Sequence, residues 1–115
     1  MHEMGIAMQI VDIAVSSIPA GAKNPKVAKV NLRAGKLTAI VPASLTFCFD
    51  IATQGTPLAG ATLSIEEIPV VVRCKSCGNE WTVTTPNFIC GKCQGGQVDI
   101  ISGRELDIVS LELAD

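Results

Sequence analysis

The chain has 115 residues, a formal net charge of −2 and 48% hydrophobic residues, of which few are aromatic. That length suits one compact domain, or one small domain carrying a metal-stapled insertion. The acidic balance lacks the basic footprint of a nucleic-acid binder. With one Trp and no Tyr there is also no aromatic platform on which single-stranded bases could stack.

In chain order, residues 3–18 read as a helix. Met4, Met8, Val11, Val15 and Ile18 recur at helical spacing, which predicts that they form its buried stripe, although the alternation of Val11, Ile13 and Val15 also fits a strand. This segment is not a secretory leader, because acidic Glu3 precedes it and Gln9 and Asp12 interrupt it. It is also short of the roughly 20 apolar residues that a membrane span needs. Residues 19–25 are rich in Pro, Gly and Asn and read as a turn. Residues 26–33 alternate as a half-buried strand, with Ala28, Val30 and Leu32 on one face and Lys29, Asn31 and Arg33 on the other. After a connection at 35–41, Pro42 suits the first position of a second helix and Gly55 suits the residue past its end. Leu45, Cys48, Phe49 and Ala52 form the apolar stripe of that helix. Ala61, Leu63 and Ile65 alternate with Thr62, Ser64 and Glu66 as a second strand, and residues 105–112 read as the last. The expected fold class is α+β: a small sheet covered by two helices, with an inserted zinc-ribbon module. The expected division is residues 1–68, the inserted module at 69–103, and 104–115 returning to the first domain.

The insertion carries Cys74-Lys75-Ser76-Cys77 and, twelve residues on, Cys90-Gly91-Lys92-Cys93. Two residues between paired cysteines let both sulfurs of one turn point at a single ion, and Gly78, Gly95 and Gly96 suit the tight reversals that follow. Four thiolates complete a closed tetrahedron around Zn(II), leaving no position for substrate water, so the zinc is expected to be structural. A redox pair would need only one such motif in a βαβ setting, and an iron–sulfur cluster, which four thiolates could also hold, usually uses other spacings. Val70, Val72, Trp81, Val83, Val98 and Ile100 are too few to fold the module without metal. Five cysteines used in this way fit a reducing, cytoplasmic setting, with Cys48 left as a small buried hydrophobe.

The single histidine, His2, stands in the run Met1-His2-Glu3. A lone terminal histidine is most often an idle surface side chain. Here an α-amine, a backbone amide and an imidazole fall within two residues. Together they can present a plane of nitrogens, which suits Ni(II) or Cu(II) and not tetrahedral zinc. Imidazoles and α-amines both gain protons near neutral pH, so such a site weakens on acidification. Glu3 adds a carboxylate, or favours the helix start through its charge.

These features together resemble the HypA/HybF family of hydrogenase maturation factors, which are nickel metallochaperones. The residues that carry the resemblance are Met1-His2-Glu3, Gly55-Thr56-Pro57-Leu58 with Ala61 leading into the Leu63 strand, both cysteine pairs, and Ser102-Gly103-Arg104-Glu105-Leu106. The resemblance implies that His2 is the nickel ligand, with the Met1 amine and backbone amides of His2 and Glu3, and that Glu3 shapes affinity or partner contact. Cys74, Cys77, Cys90 and Cys93 would be the structural zinc ligands. It further implies Ni(II) as cargo. Its implied partners are a nickel-handling GTPase, the hydrogenase large subunit and, in some organisms, urease accessory proteins. Gly5, Lys36 and Gly91 depart from residues common in the family (Ser, an acid and Pro). None of the three is a ligand, and Lys36 bears on partner choice.

Two other readings compete. A zinc-ribbon interaction module would use Arg73, Lys75, Lys92 and Arg104 as a positive patch and would need no role for His2. An enzyme would need a nucleophile–base pair or a phosphate loop, and neither is evident. No nucleic acid and no membrane is expected as partner, whereas exposed sheet edges permit a homodimer.

Overall fold

The computed structural model describes residues 2–21 and 26–114. Helix α1 spans Glu3–Ser17 and strand β1 Val27–Gly35. A 3₁₀ turn at Lys36–Thr38 leads to helix α2, Pro42–Ala52. Strands β2 (Thr62–Ile68), β3 (Val71–Cys74), β4 (Glu80–Thr82), β5 (Val98–Ser102) and β6 (Leu106–Leu113) follow. They form two three-stranded sheets, ordered β2-β1-β6 and β4-β3-β5. The α+β expectation, with two helices, small sheets and a cysteine-bearing insertion, therefore holds. The chain divides into two compact units. One comprises Met1–Arg33, Ile40–Glu66 and Asp107–Asp115, and the other Ala34–Ala39 and Glu67–Leu106.

In the first unit the core joins Ala7, Ile10, Val11 and Ala14 of α1 to Leu45 and Phe49 of α2, and to Val27, Val30, Leu32 and Leu63 of the sheet. This corrects the stripe expected for α1. Met4, Met8 and Val15 are exposed, and the buried line runs through two fully covered alanines. The apolar arc of α1 is wider than one stripe. Its alanine side lets a neighbouring element approach closely, so that side wins the core. On β1 the expected alternation begins at Val30; Val27 is buried and Ala28 exposed. Lys26 and Ala114 share a backbone bond, Asn31 bonds Ser110, and Arg33 faces Asp107 at 3.7 Å. Numbers rise on one strand as they fall on the other, so β1 and β6 run antiparallel. The expected turn at 19–25 shows a turn at Ala20 and Gly21, and its residues 22–25 lie outside the described residues.

The α2 helix begins as expected, with Pro42 in its first turn and the Leu45 amide bonded to the Val41 carbonyl. Its exit explains the Gly55-Thr56-Pro57-Leu58 run. Gly55 takes φ +75°, a left-handed turn that glycine enters freely. The Thr56 hydroxyl donates to the Thr53 carbonyl at 2.7 Å and accepts the Leu58 amide at 3.1 Å. Pro57 offers its carbonyl to the Val27 amide, and Leu58 is fully buried. The run is thus a helix exit fastened to β1.

The Ser102-to-Leu106 run has a comparable structural reason, within the second unit. Gly103, at φ +115°, donates its amide to the Glu105 carboxylate at 2.7 Å and accepts the Leu37 amide on its carbonyl at 2.8 Å. Glu105 in turn accepts the Gly35 amide at 2.6 Å. A Cβ on Gly35 would run into the Gly103 carbonyl, and one on Gly103 would come within 2.9 Å of the Val70 backbone. Backbone stands where side chains would be, so neither position has a flexible neighbour that can yield.

Alanine at Gly35 or at Gly103 should accordingly cost about 2–4 kcal/mol. Gly55→Ala, at a left-handed position with open space around it, should cost about 1–2 kcal/mol. Thermal unfolding by circular dichroism compares them. Equal costs for Gly35→Ala and Gly55→Ala would remove the backbone-crossing argument.

Candidate metal centres

The four cysteines predicted as one site converge. Their sulfurs all lie within 4.8 Å of one another, with Cys74 and Cys93 at 3.5 Å and Cys77 and Cys90 at 3.6 Å. Four sulfurs at zinc–thiolate distance around a tetrahedron stand about 3.8 Å apart. The cluster therefore fits a structural zinc site. Among the described residues it is the one group of three or more His, Cys, Asp or Glu that could hold a metal ion.

The fit arises from a local fold used twice. Cys74 ends β3, and its amide donates to the Asn79 carbonyl while its carbonyl accepts the Gly78 amide. Cys90 repeats this with Gly95 and Gln94, at the same spacings. Each turn tips two sulfurs to one side. Each also needs a residue at positive φ just after its second cysteine. Gly78 fills that place at +77°, as expected, but in the second turn the place belongs to Gln94 at +63°. Gly95, expected to serve the reversal, instead provides space: a Cβ there would stand 3.3 Å from the Cys93 sulfur and 3.5 Å from that of Cys74. Gly96 has open surroundings. Sequence reasoning also passed over Asn79, whose side-chain amide donates to the Cys90 sulfur at 3.7 Å. Its signal was positional, since Asn79 and Gly95 both stand two residues beyond a pair.

Electrostatics inside the cluster are divided. The Cys93 amide, with that of Lys92, lowers Cys90 to about 6 against the opposing effect of burial. The Cys77 and Ser76 amides likewise lower Cys74 against burial. The Gly95 amide would lower Cys93, yet crowding by the sulfurs of Cys74, Cys77 and Cys90 outweighs it and pushes Cys93 up to about 12. Backbone donors thus favour thiolates while the sulfurs repel one another's charge. A divalent cation resolves the conflict by holding all four deprotonated.

Around the cluster, β3 lies between β4 and β5, so Val72 faces Trp81 on one side and Ile100 on the other. Val70 and Val72 are the only valines of the module that are fully sheltered; Trp81, Val83, Val98 and Ile100 are half-exposed. The expected positive patch is half neutralised, with Arg73 bound to Glu80 at 2.7 Å and Lys75 to Asp99 at 3.6 Å.

At the other predicted centre, His2 is exposed at the N-cap of α1 and its carbonyl accepts the Ile6 amide. No side chain caps the helix. Because the first N–H groups of a helix have no partner inside it, the amides at His2 and Glu3 stay outside the helical ladder. Glu3 is half-exposed in the first turn. Met1, whose amine belongs to the expected donor set, lies outside the described residues. Cys48 is half-buried against the core, in keeping with its expected role as a hydrophobe.

A family profile described as hydrogenase/urease nickel incorporation, metallochaperone, HypA matches residues 1–113. The chain belongs to the HypA family. A hydrogenase maturation factor HypA of Desulfosudis oleivorans is 70% identical over 115 residues, the whole of both chains. That of Desulfatibacillum aliphaticivorans is 59% identical over all of this chain and 88% of its own length. The solution structure of the Ni metallochaperone HypA from Helicobacter pylori is 21% identical, covers 98% of this chain and 97% of its own, and has a TM-score of 0.66. Another HypA solution structure, 22% identical, reaches 0.70 over 99% and 97%. These last two establish a shared fold. As a member of the HypA family the chain is a nickel metallochaperone type, with nickel as cargo and a four-cysteine cluster suited to structural zinc. No helix among the described residues is long and apolar enough to cross a membrane.

The Gly95 position yields a measurable consequence for this HypA-family module. Gly95→Val should weaken zinc retention at least tenfold in competition with a chromogenic chelator, because its side chain must displace sulfurs. Gly96→Val should leave retention unchanged. Gln94→Gly, which relieves a left-handed non-glycine residue, should raise stability by about 1 kcal/mol. If Gly95→Val and Gly96→Val hold zinc equally, Gly95 has no spacing role.

Proposed function

We propose that this chain binds Ni(II) at its N-terminus and delivers it for maturation of [NiFe]-hydrogenase. The observation that carries the reading is His2, exposed at the head of an uncapped helix whose first amides have no helical partner. The imidazole, the Met1 amine and the amides of His2 and Glu3 are the proposed donors. The positive end of the helix macrodipole disfavours a bound cation but favours amide deprotonation, and Glu3 offsets part of the charge. Affinity is therefore modest, which suits a carrier whose ligands must be exchanged one at a time. Cys74, Cys77, Cys90 and Cys93 are the proposed ligands of a zinc that holds its own module together and takes no part in cargo transfer. We assign residues 1–68 and 104–115 to a nickel domain and 69–103 to the zinc ribbon.

The proposed partners are a nickel-handling GTPase, the hydrogenase large subunit and urease accessory proteins, all in the cytoplasm. Any energy for release would come from the GTPase, because this chain is not proposed to be an enzyme. A zinc-ribbon interaction module without nickel is a weaker reading, since two of its four patch cations are already paired.

Nickel titration of the untagged, zinc-loaded protein tests the proposal, beside His2→Ala and a variant extended before Met1. Stoichiometric planar nickel is expected in the native chain and should be lost in both variants with zinc retained. Acidification should release it, as protons take the nitrogen donors. Equal nickel binding in all three proteins would sink the N-terminal site.

A further inference from the structure

The four cysteines are not equivalent. Cys77 and Cys93 are exposed, whereas Cys74 and Cys90 are buried. Two sulfur–sulfur hydrogen-bond contacts each join one exposed to one buried cysteine, and each crosses from one turn to the other: Cys93 with Cys74 at 3.5 Å, Cys77 with Cys90 at 3.6 Å. The glycine at 95 adds no side chain of its own beside the Cys74 and Cys93 sulfurs, where the small Ser76 hydroxyl is the other neighbour. With a bound metal holding all four sulfurs deprotonated, exposure decides which of them peroxide reaches first, and an exposed thiolate beside a buried partner is the arrangement of an attacking and a resolving cysteine.

From this geometry we infer that the cluster is a peroxide-responsive modification site, in which Cys77 and Cys93 are oxidised first and close disulfides with Cys90 and Cys74, ejecting the metal. The inference rests on the reading of these cysteines as zinc ligands. At each pair the exposed thiolate attacks the peroxide, the O–O bond breaks, and the sulfur becomes a sulfenic acid as hydroxide leaves. The buried thiolate then attacks that sulfur and expels a second hydroxide. Each hydroxide takes up a proton as water. One peroxide is thus reduced for every two thiolates oxidised, and two peroxides convert the whole site to two disulfides and a free divalent ion.

The connectivity has a structural consequence. Disulfides across the two turns replace the metal as the link between them, so the module stays closed when the ion leaves. Disulfides within each Cys-x-x-Cys pair would leave the turns unconnected. A dithiol reductant with added zinc restores the original state.

The experiment uses the full untagged chain, its zinc content measured first. Hydrogen peroxide is added, zinc release is followed with a chromogenic chelator, free thiols are blocked and the protein is cut with trypsin. Cleavage after Arg73, Lys75, Lys92 and Arg104 separates the candidates. The inferred pairing joins peptide 74–75 to peptide 93–104 and closes a loop inside 76–92. Pairing within each turn instead links all three peptides in a row. Stoichiometric zinc loss with the first pattern is the expected result. The second pattern, oxidation without disulfides, or zinc retained against excess peroxide would overturn the inference. Protein isolated without zinc would defeat the zinc reading by itself, and the peptide pattern would still decide how the thiols pair.

Discussion

Four sulfurs within 4.8 Å of one another present a charge problem, and the second unit is organised around its solution. Backbone amides lower the thiols of Cys74 and Cys90, while mutual repulsion raises that of Cys93. A proton can neutralise only one sulfur at a time; a divalent ion serves all four. The surrounding sheet is too thin to substitute for it. Val72, between Trp81 and Ile100, is one of few buried side chains there, and a unit of this size with so little buried apolar area lacks the core to offset its chain entropy. The exposed ion pairs on β3 add little, since such pairs contribute about 0–1 kcal/mol each.

The first unit is held differently. Its core is aliphatic, with Phe49 as the largest buried side chain, and α1 contributes alanines where the helix meets its neighbours. Small residues permit close approach, and the longer Met4, Met8 and Val15 side chains remain outside. The unit therefore needs no metal for its packing. This is consistent with a cargo site at a terminus, where binding and loss of an ion do not disturb a core.

Much of this was legible in the sequence, for identifiable reasons. Both helices, the alternating strands and the convergence of four cysteines follow from periodicities of 3.6 and 2 and from paired-cysteine spacing. These are local signals, carried by the spacing of residues along the chain. The buried side of α1 was not legible. Its apolar arc is so broad that several stripes fit, and only the neighbours decide which is covered. The role of Gln94 was hidden for a different reason. Glycines at 95 and 96 advertised the reversal, while the residue that turns left-handed carries a side chain. Gly35 and Gly103 looked like ordinary turn residues; Gly35 needs to be glycine because it meets the Gly103 backbone across sixty-eight positions of sequence, and Gly103 because its backbone is left-handed and abuts Val70. Helix-exit and strand-entry runs that carried the family resemblance, at Gly55 and at Ser102, proved to be backbone fastenings.

The proposed nickel site and the four-cysteine cluster differ in how easily a metal could exchange, and their construction explains why. A closed tetrahedral set of thiolates offers an incoming ligand no open position, so zinc would leave slowly unless its sulfurs are protonated or oxidised. At His2 every proposed donor lies within three consecutive residues, and the imidazole is exposed. A competing ligand can replace one donor while the others still hold the ion. Nothing buried has to move, and the helix dipole lowers the cost of leaving. A protein that must hold one metal permanently and surrender another on contact needs this asymmetry, and here the four-cysteine cluster and His2 fall in different compact units.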